Sequence, residues 1–221
     1  MPDPEPAAAG PRAYAIALAP AGGRTGPTGL TLDVPHTTGT AVLRVTSASG
    51  ELRLDPATLA LEPSRLLFPL DAIRTDDATM ECHLREALGL DYARSRYPRE
   101  HVCEKDRLPA SGPDSIAFPE IALDLSRGAP LGDPSALERG GEVPVEAQGA
   151  FTVHGVTRPA RLLLAASRDP SSPGALRVRG RHPFRLADFG VVVRPVKILF
   201  VRLTVADVVT ATVDVRLVPQ A

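Results

Sequence analysis

Five histidines and two cysteines carry most of the chemistry that this 221-residue chain has to offer. Cys82, His83, His101 and Cys103 fall in one stretch, and two thiolates with two imidazoles make a zinc set. The spacing opposes that use. Cys82 and His83 are adjacent in a segment that reads as helix, so their side chains diverge by about a quarter turn or more and can hardly reach one ion. We expect no metal and no cofactor. A Cys82–Cys103 disulfide would suit an oxidising compartment, and in a reducing one both residues are inert thiols. Such a bridge closes a loop of about twenty residues, worth about 3 kcal/mol on the chain-entropy model.

His154 stands in a chain reversal. It either makes a polar contact at a cavity mouth or hydrogen-bonds backbone to hold the turn, and the second is the simpler reading. His36 and His83 read as organisers of a turn and of helix packing, and His182, beside Pro183, as a surface residue. Arg158, Arg161, Arg185 and Asp188 form either a polar set at a mouth or plain surface pairs. The simpler version puts Arg161 on a wet face and bridges Arg185 to Asp188. No nucleophile elbow, phosphate loop or metalloprotease helix is present, and no two of the 26 Asp and Glu are singled out by spacing. We expect no enzyme; a lipid- or haem-dependent reaction has only the histidines behind it.

The element that would position His154 is a hairpin. Val143 to Val153 and Thr157 to Ala166 alternate as strands, and Val153, His154, Gly155 and Val156 must reverse the chain between them. Gly155 takes positive φ without steric cost, and Pro159 belongs where no ladder partner is needed. Further strands are expected at Ala13–Ala19, Leu30–Val34, Thr40–Thr46, Glu51–Leu54, Arg65–Ile73, Glu100–Lys105, Ser115–Leu125, Leu176–Arg185, Lys197–Val205 and Val208–Val218. In the last, Val209, Ala211, Val213, Val215 and Leu217 share a dry face, with Thr210, Thr212, Asp214 and Arg216 on a wet one. Ser126–Glu142 reads as a polar loop. Thr75–Gly89 is the one helix, capped by Thr75 or Asp76, with Met80, Leu84, Ala87 and Leu88 on one face. Residues 1–12, rich in Pro and Ala, read as a disordered lead without the apolar core of a signal peptide.

Eight or so strands with one helix make a mainly β chain, and a closed antiparallel barrel over residues 13–221 is the economical way to hide strand edges. Its interior would be Leu, Val and Ala, with no Trp, 6 Phe and 3 Tyr in the whole chain. A barrel of this size either fills with its own side chains or holds one small ligand. Small aliphatics leave room for a flexible hydrocarbon chain. The charge balance of 25 Lys and Arg against 26 Asp and Glu, without a basic block, disfavours nucleic acid. No run approaches the roughly 18 apolar residues of a membrane span, so we expect a soluble protein.

Four stretches in order resemble the YceI-like family, lipocalin-like β-barrels that enclose an isoprenoid or similar amphiphile. They are LDVPHTT (Leu32–Thr38), HLREALGLDYARSRYP (His83–Pro98), HGVTRP (His154–Pro159) and RLADFGV (Arg185–Val191). Against that pattern the region between His36 and Gly50 is short and Ala13–Ala19 is extra, as if one strand replaced another. The cysteines are outside the pattern. The resemblance implies binding or carriage of a polyisoprenoid or quinone-like lipid, and a periplasmic or secreted location, although no leader is visible and a cytoplasmic one fits the sequence equally. The cavity would be lined by Leu43, Phe68, Phe151, Val153, Leu163, Phe184 and Phe189, with His154 at its mouth. A homodimer is compatible with this reading. The alternative is a ligandless structural or stress-related interaction module on the same scaffold.

Overall fold

Thirteen strands and one helix follow one another in the computed structural model, which describes residues 10–18, 29–95, 108–193, 195–198 and 201–220. The strands are β1 (Arg12–Ala17), β2 (Gly29–His36), β3 (Gly39–Val45), β4 (Ser49–Leu54), β5 (Ser64–Pro69), β6 (Ile73–Arg74), β7 (Glu120–Pro130), β8 (Glu142–Val153), β9 (Val156–Arg168), β10 (Leu176–Arg185), β11 (Val196–Ile198), β12 (Val201–Leu203) and β13 (Val208–Pro219). The helix α1 covers Ala78–Gly89.

The ring closes through β13. On one side it pairs with β10; on the other, Arg216–Pro219 pair with β1 and Thr210–Asp214 with β2. Ala17 faces Arg216 and Gly29 faces Asp214, so β1 and β2 lie end to end and serve as one wall position. The strand that looked like a substitute therefore prolongs the opening strand. In the same way β3 pairs with β2 and β6 while β4 pairs with β1 and β5. The 3-10 turn Leu70–Ala72 joins β5 to β6. With β7, β8, β9 and β10 completing the order, eight antiparallel wall positions form a closed barrel with a single helix. Closure leaves few strand edges to aggregate.

Several boundaries differ from the sequence reading, each for a local reason. The helix starts at Ala78 because the Asp77 carboxylate accepts the Met80 N–H at 3.3 Å. Thr75 is used before the helix, where its hydroxyl accepts the Asp77 N–H at 2.9 Å and its own N–H donates to Glu81 at 2.8 Å. The strand expected to start at Ser115 starts at Glu120, because the Ala117 and Phe118 N–H groups donate to the Gly89 carbonyl at 2.7 and 3.0 Å. It then continues to Pro130 through a register shift between Leu125 and Arg127. Only the start of the expected loop, Ser126–Pro130, is thus strand, and alternation fails at the bulge because one extra residue puts the pattern out of phase. The Lys197–Val205 segment forms two short strands, β11 and β12, in a sheet of their own. Residues 1–9, the expected strand at Glu100–Lys105 and Tyr97–Pro98 lie outside the described residues.

Nor is the outer face of β13 uniformly wet. Asp214 is buried, and the Arg177 guanidinium donates to both its carboxylate oxygens at 2.7 Å. Two parallel charge-assisted bonds satisfy the buried anion.

Candidate functional site: the barrel interior

The barrel encloses two lobes whose walls share Leu32 and Ile121. The first, about 170 Å³, lies toward β1 and β4, where Leu52, Leu54, Leu59 and Leu61 line it. Every described lining side chain in this lobe is a hydrocarbon except His182. The second, about 180 Å³, lies under α1, whose Met80, Leu84, Ala87 and Leu88 form one wall. The helix thus closes one end of the barrel with the apolar stripe expected of it. His36, Asp77 and His83 give the second lobe its polar lining.

Of the residues expected to line a cavity, Phe68 and Phe151 line the first lobe and Leu43, Val153 and Phe184 the second. Phe189 is buried outside the lining and braces the waist between lobes. Its ring meets those of Phe151 and Phe184 edge-on at 5.7 and 5.9 Å, while Phe151 and Phe184 meet at 5.4 Å. Such edge-to-face geometry suits the ring quadrupoles. Leu163 is misplaced in the sequence reading: it is 57% exposed on the outer wall, and Leu162 and Leu164 point inward instead.

His154 is not among the residues lining either lobe. Its Nε2–H donates to the Leu90 carbonyl at 2.7 Å, which ties the hairpin to the end of α1. The ring packs against Tyr92 at 4.9 Å and Phe118 at 4.7 Å. The turn-holding reading therefore describes it better than the cavity-mouth reading, although the partner is 64 residues away rather than local. Both turn residues adopt left-handed backbone, His154 at φ 52° and Gly155 at φ 72°, as a two-residue hairpin requires. A Cβ on Gly155 would sit 2.5 Å from the Phe118 ring. Gly155→Ala is expected to lose about 1–3 kcal/mol from φ strain and overpacking together; urea unfolding measures it, and a loss under about 0.5 kcal/mol would show that Phe118 moves freely aside.

The remaining polar residues fall into structural pairs. Arg185 bonds Asp207, not Asp188: its Nε donates at 2.7 Å, because Arg185 pairs with Val208 in the ladder and so lies beside Asp207. The Ala187 N–H at 2.9 Å and then Arg185 hold the Asp207 carboxyl below the usual range. Asp188 offers its backbone carbonyl to the Arg158 Nε at 2.8 Å. Arg161 lies exposed and pairs with Glu146. His36 Nδ1 is 3.1 Å from the Thr38 hydroxyl in the β2–β3 turn, and His83 Nδ1 is 3.5 Å from Glu86. Cys82 is disulfide-bonded, which withdraws it as a zinc ligand. The chain's other cysteine, Cys103, lies outside the described residues, as does His101.

His182 is the residue that sequence reasoning missed. Expected on the surface, it is half-buried and lines the first lobe, with burial lowering its pKa. The signal was present in the strand's period of two. Leu176, Val178 and Phe184 line the lobes, and His182 shares their parity.

The YceI-like domain model matches residues 25–217. No curated protein matches the sequence. Among solved structures, a polyisoprenoid binding domain from Saccharophagus degradans has a TM-score of 0.59 at 13% identity, over 95% of this chain and 99% of that one. BcnA from Burkholderia cenocepacia has a TM-score of 0.54 at 13% identity, over 85% and 95%. A Campylobacter jejuni YceI protein has a TM-score of 0.54 at 12% identity, over 81% and 84%. At these identities the likeness is one of fold, and it agrees with the closed barrel and single helix. With the domain match spanning all but the ends, this chain belongs to the YceI-like family.

Proposed function

We propose that this protein binds and carries a long-chain amphiphile, a polyisoprenoid or quinone-like lipid, within its barrel. The observation that carries the reading is the pair of adjoining lobes with a nearly unbroken hydrocarbon lining. Each methylene buried there contributes about 0.8 kcal/mol, so a flexible chain gains affinity from length without needing directional contacts. The similar Saccharophagus degradans domain is described as polyisoprenoid binding, which supports the ligand class. The Cys82 disulfide supports an oxidising compartment, and we place the protein in the periplasm or outside the cell.

Mass spectrometry of an organic extract of the purified protein, set against a mock purification, tests the proposal. One enriched lipid near one per chain is the expected result. No enriched species, even after incubation with polyprenyl lipids, would overturn it and leave a ligandless scaffold.

A further inference from the structure

A core that merely filled space would have no use for the imidazole of His182. The first lobe is otherwise hydrocarbon, and among the described residues none hydrogen-bonds this half-buried ring, whose pKa burial lowers. Water can still reach a half-buried ring, but a lipid chain that displaces that water without replacing its hydrogen bonds leaves the imidazole unsatisfied at a cost in free energy. A polar group carried by the lipid itself would offset that cost.

The position of the ring is specific. In the ladder His182 faces Ala211, which lines the first lobe, and Phe184 faces Val209, which lines the second. His182 is therefore the last first-lobe residue on β10 before the waist. On its other side the pairing of β10 with β9 ends at Gly180 and Leu164, so His182 is the first inward residue beyond the point where those strands part.

We propose that His182 is a hydrogen-bonding anchor for one uncharged polar group of the bound lipid, a hydroxyl or a carbonyl held at the waist while the tail fills the first lobe. This rests on the lipid-carrier reading above and gives it a ligand class: long-chain alcohols, phenols and quinones. A neutral imidazole has one N–H and one bare nitrogen, so it serves either group. A phosphate or carboxylate is disfavoured. Among the described residues, neither lobe is lined by Lys or Arg, and an anion at the waist would bear its desolvation cost unpaired.

The test uses delipidated full-length protein, with displacement of a fluorescent fatty chain as the readout and three probes. These are geranylgeraniol, the hydrocarbon of the same skeleton without the hydroxyl, and geranylgeranyl phosphate. Wild type is expected to bind the alcohol up to about tenfold more tightly than the hydrocarbon, the worth of one hydrogen bond, and more tightly than the phosphate. His182→Leu should bind the hydrocarbon at least as well and lose the preference, and that retained binding shows the variant to be folded. His182→Gln, which keeps a donor and an acceptor, should retain the preference. Preference for the alcohol persisting in His182→Leu, or no preference in a wild type that binds the hydrocarbon, would overturn the anchor and leave the carrier reading intact. A wild type that binds none of the three would sink both.

Discussion

Leu164→Asp is expected to empty the barrel and lower stability by more than about 4 kcal/mol, while Leu163→Asp changes stability by no more than about 0.5 kcal/mol. The two leucines are neighbours on β9. Leu164 lines the first lobe opposite Val145, and Leu163 is 57% exposed opposite Glu146. A short carboxylate at the inner position cannot reach water past the wall. It gives up a leucine's burial and must either carry an unpaired charge in hydrocarbon or take up a proton. At the outer position the same side chain exchanges an exposed hydrocarbon for a solvated charge. Denaturant unfolding and the lipid content of the organic extract measure both variants. Equal effects at the two positions would show that the inner and outer faces of β9 are wrongly assigned.

Reducing the disulfide at Cys82 is expected to cost about 3 kcal/mol, which for a chain of this length moves the melting midpoint down by about 6–12 °C. Cys82 is 1% exposed on α1, so reduction needs partial unfolding before it reaches the bond. The helix also forms a wall of the second lobe, so loosening it should speed lipid release as well as unfolding. Thermal scans with and without reductant measure the shift, and Cys82→Ser, already lowered, should not respond further. An unchanged midpoint in the reduced protein would mean that packing of Met80, Leu84 and Leu88 holds the helix without the bridge.

How far the sequence could be read depended on whether the deciding interaction was local. The reversal at His154–Gly155 was legible because a left-handed turn needs particular residues, and the apolar stripe of α1 because its period is written in consecutive residues. The phase of β9 was not. Leu162, Leu163 and Leu164 form a run without alternation, so nothing in it says which points inward. The turn decides it. With Val153 opposite Val156, the inward odd-numbered residues of β8 oppose even-numbered ones of β9, which turns Leu163 out. For His182 the period of two was readable, but residue type suggested a surface. The partners of Arg185 and Asp214 depended on ladder neighbours that a linear reading cannot rank.

By itself, then, the sequence determined a mainly β chain with one closing helix, four ordered stretches like those of the YceI-like family, and an aliphatic interior. Composition, alternation and turn chemistry act over a few residues at a time, and these features follow from them. Tertiary structure alone decided that β1 and β2 share one wall position, that two lobes adjoin at Leu32 and Ile121, and that the His182 imidazole lines the first of them. Each of those depends on the register between strands far apart in the chain, which is set by the closure of the whole ring.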